Sequence, residues 1–461
     1  MVFSSITFLF YFLPIVLAIY YLVPNKWKNI VLLISSFIFY FYGEPRYVIL
    51  MTFSIVCTYI FGLLIDKYKK YSKLFLTLFI CISVGLLVYF KYINFIIENI
   101  NLFLANKIDF IYVALPIGIS FYTFQMISYI VDVYRGQAKV QKNILKLAMY
   151  VSLFPQLIAG PIVRYTTIEE QLENREYTME KFALGVRRFI IGLGKKVLIA
   201  NVLGELNNIF LASNDSSVLF YWLYAISAML QIYFDFSGYS DMAIGLGKMF
   251  GFEFLENFNY PYAATSITDF WRRWHISLSS WFRDYIYIPL GGNRVSKLKW
   301  LRNILIVWLL TGLWHGAAWN FVFWGLFFGT LLIVEKVFLE KHLKKLPKFL
   351  LHIYVLLIVM ISFIIFNGES ISQIMQNIGG LIGINNIPLI SQESLYYFKS
   401  YFVVIIIGII GATPILKNIA CSNKISKIGN FIEPIFLLLI LILCTSYIVD
   451  GSFNPFLYFR F

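Results

Sequence analysis

Long uninterrupted stretches of apolar residues constrain the fold of this chain more than any other feature. The windows 30–42, 74–90, 349–366, 400–416 and 431–449 are apolar on all sides, whereas a helix of a soluble domain has one polar face. Of all 461 residues, 60% are hydrophobic and 13% are charged, and a soluble domain has about 25% charged residues. Because about 20 apolar residues span the hydrocarbon layer as a helix, the sequence predicts a membrane protein.

The basic residues lie mainly in short loops between the apolar windows. The net charge is +14, and clustered Lys and Arg mark the cytoplasmic side of a membrane protein. Loops 204–217 and 367–398 contain no Lys or Arg, so we expect them outside. This distribution argues against nucleic acid as the partner and indicates a lipid bilayer. The clustered residues are Lys26, Lys28, Lys67, Lys69, Lys70, Lys73, Arg135, Lys139, Lys142, Lys146, Lys341, Lys344, Lys345, Lys348, Lys417, Lys424 and Lys427.

The apolar windows and the basic loops together predict the path of the chain. The expected fold class is all-α and polytopic, with about 11–13 transmembrane or re-entrant helices around a central cavity and amphipathic helices at the interface. Residues 1–461 are expected to form one membrane domain with both termini outside the cytoplasm. Spans are predicted near 6–23, 29–42, 47–65, 74–97, 112–134, 183–203, 217–234, 301–314, 319–337, 349–366, 399–416 and 430–449, with a paired or re-entrant element at 145–162.

The segment 235–300 departs from this hydropathy pattern. It is too polar to span a membrane and too aromatic to be a free loop. Arg, Asp and His mixed with Trp and Tyr are typical of amphipathic helices that lie on a membrane surface. We therefore expect this segment at the cytoplasmic interface, partly inserted.

Two of the four histidines, His275 and His315, are expected where water is scarce, and the other two are not. His342 and His352 are in or beside a basic loop and are interpreted as ordinary interfacial residues. His315 stands in the apolar string LTGLWHGAAWNFVFWG, where an ionisable residue indicates a function. The alternative is a core histidine that donates to a backbone carbonyl. Gly312 and Gly316 predict a helix break near the middle of the membrane, which is tolerated where the chain lines a cavity or is buried in protein.

Several long strings resemble one enzyme superfamily. WRRWHISLSSWFRDYIYIPLGGNR (271–294), LTGLWHGAAWNFVFWG (310–325) and FNPFLYFRF (453–461) are similar to motifs of the membrane-bound O-acyltransferases. The resemblance is to the bacterial branch that O-acetylates alginate and other exported polysaccharides, and it covers essentially the whole chain. The other matching strings are LPIGISFYTFQMISYIVDVYRG (115–136), FPQLIAGPIVRY (154–165) and QIYFDFSGYSDMAIG (231–245).

The resemblance implies that His315 and His275 are the catalytic residues. They stand in the family's Trp-His-Gly and Trp-His-Ile-Ser motifs, respectively. Transfer of an acetyl group from a thioester to an alcohol needs a base for the hydroxyl proton, and an imidazole with a pKa near ~6.5 suits that task. We expect His315 to act as the general base and His275 to polarise the thioester carbonyl or to orient its partner. A histidine-bound acetyl intermediate is an alternative.

Four arginines are candidate ligands for coenzyme A. Arg272, Arg273, Arg283 and Arg294 lie in the segment that is expected at the cytoplasmic interface. Guanidinium groups form forked hydrogen bonds to phosphate oxygens, so these residues could bind the phosphates of the donor. The alternative for each arginine is ordinary anchoring on the cytoplasmic side.

Other polar residues nearby are expected to have structural or orienting roles. Asp235, Asp241, Asp269 and Asp284 are expected to pair with the arginines, because unpaired charges at this depth are costly. Asn320 follows His315 by five residues. It either binds substrate or satisfies a broken helix end.

The resemblance also implies a donor, an acceptor and a partner. Acetyl-CoA in the cytoplasm would supply the acetyl group, with no permanently bound cofactor and no metal. The acceptor would be a hydroxyl on an exported partner, typically an SGNH-hydrolase-like acetyltransferase that modifies a polysaccharide or peptidoglycan. The sequence contains no metal-ligand cluster and no GxSxG motif, and the lysines at 195–196 lack the Ser or Thr of a phosphate loop.

Two other functions remain open at this level. Within the same superfamily, an enzyme could load D-alanine onto teichoic acid from a carrier protein. A transporter or flippase would also place polar residues in a core of broken helices. The location expected in each case is the bacterial cell membrane.

Overall fold

The computed structural model describes residues 1–158, 160–384, 386–420 and 426–451, with no side chains described at 420 and 426–430. The regular structure of these residues is helical, and no strand occurs among them. The predicted all-α class is therefore confirmed. The string at 453–461, Cys421 and Lys424 lie outside the described residues.

The first of two compact units comprises Met1–Phe189 and Met242–Leu255. Its two pieces of chain are joined by a buried hydrogen bond from the Tyr20 hydroxyl to the Phe250 carbonyl at 2.7 Å. Its helices are α1 (Thr7–Leu22), α2 (Asn25–Gly43), α3 (Val48–Lys67), α4 (Lys69–Asn101), α5 (Ile119–Arg135), α6 (Ile144–Ser152), α7 (Tyr165–Glu173) and the larger part of α8 (Met179–Gly194).

The second unit comprises Ile190–Asp241 and the chain from Glu256 onward, and it contains both motif histidines. A π-helical turn, Lys195–Asn201, follows α8 directly. The further helices are α9 (Val202–Ala212), α10 (Val218–Met249, which continues into the first unit), α11 (Ile267–Arg273), α12 (Ile276–Phe282), α13 (Lys297–His315), α14 (Trp319–Leu343), α15 (Lys348–Asn367), α16 (Ile371–Leu381), α17 (Gln392–Gly411), α18 (Ile415–Ala420) and α19 (Ser426–Val449).

Seven helices in the described part of the chain are long and apolar enough to cross a membrane. They are α3, α4, α10, α14, α15, α17 and the portion Phe431–Val449 of α19. The chain is therefore a multi-span membrane protein, as predicted. The other predicted spans coincide with helices that are shorter or more polar, such as α1, α2, α5 and α13.

Helix α10 is longer than the sequence predicts. The predicted span ends at 234, whereas the helix continues without a break to Met249. Residues 235–249 thus belong to the same helix as residues 218–234, and the interfacial location expected for the segment 235–300 stays a prediction. The physical reason is that the carboxylates of Asp235 and Asp241 pair with lysine ammonium groups, so the polar half of the helix can be buried.

Helices α13 and α14 form a close antiparallel hairpin with a break between them. A Cβ atom at Gly312 would collide with the Phe321 carbonyl, and one at Gly325 would collide with the Trp308 carbonyl. The glycines therefore allow the two backbones to touch. The break itself begins at Gly316, one residue after His315, whereas Gly312 is an interior residue of α13 rather than a border of the break.

Candidate active site

His315 is the last residue of α13 and is surrounded by aromatic rings. It is buried, with 4% of its surface exposed. Its ring centroid lies 5.1 Å from that of Trp314, 5.0 Å from that of Trp324 and 5.5 Å from that of Phe366, each in an edge-on arrangement. Because the backbone turns to an extended conformation at Gly316, the helix end presents the imidazole to this aromatic group.

His275 occupies the junction between α11 and α12 in a strained conformation. Its φ is +43°, which is uncommon for a residue other than glycine. The ring is buried, and the Phe236 ring lies edge-on at 4.6 Å. Nε2 has no hydrogen-bond partner among the described residues. A strained, buried imidazole with one open nitrogen is typical of a functional site.

Asn257 organises the residues around His275. Its side-chain oxygen lies 3.1 Å from His275 Nδ1 and accepts from the Ser277 backbone at 3.2 Å and the Ser277 hydroxyl at 2.9 Å. Its side-chain nitrogen donates to Ser240 at 3.1 Å. The backbone carbonyl of the same residue accepts from Ile276 at 2.9 Å. The strained turn at His275 is thus secured by one buried amide, which the sequence analysis missed.

The ring of Trp314 lies close to both motif histidines. Its ring centroid is 5.9 Å from that of His275 and 5.1 Å from that of His315. Burial, together with the charge that His315 can carry, holds the pKa of His275 well below its usual range. The structure therefore brings together the two histidines that lie 40 positions apart in the sequence.

The four candidate arginines lie mainly at the surface. Arg272, Arg283 and Arg294 are exposed. Arg273 pairs with Asp269 at 2.9 Å. Binding of donor phosphates by these residues stays a prediction.

The acidic residues divide into two groups. Asp269 and Asp284 pair with arginines as predicted, and the Asp284 contact is to Arg283 at 2.7 Å. Asp235 and Asp241 instead pair with Lys196 and Lys195, each at 2.6 Å. The prediction that arginines pair with Asp235 and Asp241 is therefore wrong. The π-helical turn after α8 packs against α10, and its two lysines reach these carboxylates.

A small residue explains how the lysine turn reaches α10. A Cβ atom at Gly238 would lie 2.8 Å from the Gly192 carbonyl and 3.1 Å from Lys195 Cβ. Only a glycine leaves room for this approach. The sequence argues against a phosphate loop at the two lysines, and in the structure they have a role in ion pairs.

Asn320 satisfies a helix end. Its side-chain nitrogen donates to the carbonyl of Phe366 at 2.8 Å. That carbonyl lies in the last turn of α15, where backbone acceptors have no partner inside the helix. Asn320 therefore satisfies the end of α15 and not the end of the broken helix α13. Because Phe366 also touches His315, this contact supports the wall of the site.

A cavity of about 220 Å³ lies beside α13 in the second unit. Thr311, one helical turn before His315, is on its wall, and Arg283 is also a lining residue. His315 itself is not among the lining residues, so a central cavity that contains it stays a prediction. The wall comprises Trp271, Leu278, Ser279, Phe282, Arg283, Tyr287, Ile304, Val307, Trp308 and Thr311.

Glu335 of α14 is a buried carboxylate that the sequence analysis missed. It accepts hydrogen bonds from the backbone N–H groups of Ile267 and Thr268, at 2.8 and 3.2 Å, at the start of α11. His352 of α15 contacts the Ala264 carbonyl at 3.0 Å, just before that start. The signal in the sequence was a lone acidic residue in an apolar span, which indicates a buried partner.

A metal centre is not indicated by the side chains of the described residues. No group of three His, Cys, Asp or Glu residues among them could hold a metal ion.

Comparison with known proteins gives a consistent result. Residues 137–375 match the model of the membrane-bound O-acyltransferase (MBOAT) family. The probable alginate O-acetylase AlgI of Azotobacter vinelandii is 41% identical over 424 residues, which cover 89% of this chain and 85% of that protein. A peptidoglycan O-acetyltransferase of Helicobacter pylori is 35% identical, with 86% and 82% covered. The teichoic acid D-alanyltransferase of Bacillus subtilis is 32% identical, with 50% and 60% covered.

Proposed function

This chain belongs to the membrane-bound O-acyltransferase family and is an acyltransferase of the bacterial cell membrane, and we propose that it carries acetyl groups from cytoplasmic acetyl-CoA to an extracytoplasmic hydroxyl. Relatives that match most of the chain are named for O-acetylation of alginate and of peptidoglycan. Acetyl transfer to a polysaccharide fits these relatives. The observation that carries the proposal is the pairing of His315 and His275 around Trp314.

The cavity beside α13 supports the choice of a thioester donor. It is lined mainly by apolar side chains and reaches Thr311, one turn from His315. Arg283 on the same wall is exposed and could meet a phosphate group of the donor. We propose that the thioester arm of acetyl-CoA enters by this cavity.

The acetyl transfer requires a proton acceptor in a dry site. The hydroxyl oxygen attacks the thioester carbonyl carbon, the O–H bond breaks, and the C–S bond then breaks to release the thiolate. A buried neutral imidazole can take the hydroxyl proton and return it to the thiolate. The two motif histidines are the imidazoles of this site, and His315 is the one that the family motif assigns to catalysis.

The acceptor is proposed to be a hydroxyl on an exported partner. An SGNH-hydrolase-like acetyltransferase would pass the group to a polysaccharide or to peptidoglycan. The names of the relatives support acetylation of alginate or of peptidoglycan, whereas the partner protein rests on the resemblance of the sequence motifs. The D-alanyl alternative is less favoured because its relatives match a smaller share of the chain, 50% for the Bacillus subtilis protein.

Substitution of His315 tests the enzyme against the transporter. We expect His315→Ala to reduce transfer from labelled acetyl-CoA by about 10²–10⁴-fold, the usual contribution of a group that takes part in acid–base catalysis. The purified protein is assayed in detergent or vesicles for CoA release and captured acetyl groups. His342→Ala is the matched control, because His342 is exposed and contacts only the Phe338 carbonyl of its own helix in the described hydrogen bonds. Substrate movement across vesicles that survives His315→Ala would instead support a transporter.

A further inference from the structure

The amide of Asn257 has a single orientation that its neighbours determine. The backbone N–H of Ser277 points at one side-chain atom of this amide at 3.2 Å. A backbone N–H can only donate, so that atom is the oxygen and not the nitrogen. The nitrogen then faces Ser240, whose hydroxyl oxygen accepts at 3.1 Å. The assignment is therefore consistent on both sides of the amide.

This orientation decides which nitrogen of His275 carries hydrogen. Nδ1 of His275 is 3.1 Å from the same amide oxygen, which can only accept. A neutral imidazole has one N–H and one lone pair, so the hydrogen is on Nδ1 and the lone pair is on Nε2. Nε2 is buried and has no hydrogen-bond partner among the described residues. It is open to a hydrogen that a substrate brings.

We propose that Asn257 is a positioning residue that holds His275 in the Nδ1-protonated form, so that Nε2 accepts the hydroxyl proton of the acetyl acceptor. This inference rests on the proposed function. As the hydroxyl oxygen bonds to the thioester carbon, its O–H bond breaks and the proton binds Nε2. The C–S bond then breaks, and the leaving thiolate takes the proton back from Nε2.

The same form excludes one role that the sequence left open. A neutral His275 with its hydrogen on Nδ1 cannot donate from Nε2 to a carbonyl oxygen. It therefore cannot polarise the thioester while Nδ1 is bound to Asn257. Under this proposal His275 does not polarise the carbonyl, and the general-base role that the resemblance implied for His315 passes to His275.

The surroundings of His275 make its protonation sensitive to one substitution. The rings of Phe236 and Trp314 and the side chains of Asn257 and Ser277 are neutral, and the titratable group that acts on the ring is His315. A carboxylate in place of the amide would favour the imidazolium and raise its pKa. A base must be neutral to accept a proton. As the solution is acidified, a protein with the carboxylate would therefore lose activity at a higher pH than the unmodified protein.

Two substitutions at Asn257 test the proposal through the pH profile of acetyl transfer. Asn257→Asp keeps an oxygen acceptor for Nδ1, and we expect its acidic limb to move to higher pH, with kcat retained above that limb. Asn257→Ala removes the acceptor, and we expect kcat to fall by about 10–100-fold, the size of effect known for losing a residue that orients a histidine at metal sites. Ser240→Ala is the control, because it removes the other amide contact and should leave the limb in place.

A direct measurement on the unmodified protein tests the proposal even where the variants fail to fold. With four histidines in the chain, ¹⁵N NMR of the histidine-labelled unmodified protein can assign the His275 ring by comparison with His275→Gln. We expect the shift of a protonated Nδ1 and an unprotonated Nε2. A hydrogen on Nε2, or an active Asn257→Asp protein with an unmoved acidic limb, would overturn the proposal. Absence of acetyl transfer by the unmodified protein would overturn the proposed function instead.

Discussion

At the scale of single residues, two buried ion pairs show how this chain places charge inside a spanning helix. Lys196 and Asp235 are 2.6 Å apart, with side chains only 3% and 2% exposed. Lys195 and Asp241 make a second pair of the same length that is less buried, at 26% and 14%. A buried pair gives little net stability, but breaking it leaves one charge uncompensated in a dry interior. Each member therefore depends on the other.

We predict that Lys196→Met destabilises the protein by about 3–5 kcal/mol, because it leaves Asp235 buried without its ammonium partner. The measurement is thermal unfolding in detergent. The double variant Lys196→Met with Asp235→Leu should recover most of the loss, because no charge then remains. Lys195→Met is the matched control and should cost less, since its pair is partly exposed. A double variant as unstable as the single one would contradict this account.

At the scale of elements, the start of α11 is held by side chains from two spanning helices. Glu335 of α14 satisfies two backbone N–H groups that a short helix cannot bond internally. Its negative charge also suits the positive end of the helix dipole. Further along α11, Trp271 packs edge-on against Trp324, whose ring touches His315. The carboxylate thus supports the aromatic wall of the site from a distance.

We predict that Glu335→Ala lowers both the melting temperature and acetyl transfer, because the buried N–H of Ile267 loses its acceptor at about 1–3 kcal/mol and the N–H of Thr268 loses the same partner. Glu335→Gln keeps one oxygen acceptor and should restore part of both quantities. Glu340→Ala is the control on the same helix, because its carboxylate pairs with Lys344 at the exposed surface. Equal effects of Glu335→Ala and Glu340→Ala would refute the proposed support of α11.

At the scale of the whole molecule, the distribution of positive charge predicts the orientation of the chain in the membrane. Seven helices of the described residues can span a bilayer. The basic loop at 341–348 and the loop at 367–398, which lacks Lys and Arg, flank α15 on opposite ends. By the positive-inside rule we predict that the first loop is cytoplasmic and that the second is outside. The single membrane domain and the outward termini stay predictions.

This orientation can be tested in intact cells with single cysteines on a background without the four native ones. Leu389→Cys and Leu346→Cys place thiols at two exposed positions in the two loops. We predict that a membrane-impermeant maleimide labels the Leu389 position in intact cells and the Leu346 position only after lysis. The reverse labelling pattern would mean that the chain has the opposite orientation, and it would contradict the cytoplasmic route that we propose for acetyl-CoA.

Much of the fold follows from local properties of the sequence. The length of their apolar stretches identifies α3, α14 and α15 as spanning helices. Inside a bilayer the backbone groups of such a stretch must form their hydrogen bonds internally, and a helix does so. The break after His315 also follows, because Gly316 interrupts an apolar run. The length of α10 does not follow, because a hydropathy window cannot see that Asp235 will meet a lysine from another helix.

The order of residues already specifies a helical membrane enzyme and the two histidines of its motifs. The partners of those histidines depend on how the helices pack together. Asn257 lies 18 positions before His275, and Glu335 lies 68 positions after the N–H group of Ile267 that it accepts from. Hydrogen bonds and ion pairs act over a few ångströms in space, so their partners depend on packing between helices and are absent from any local pattern of residues.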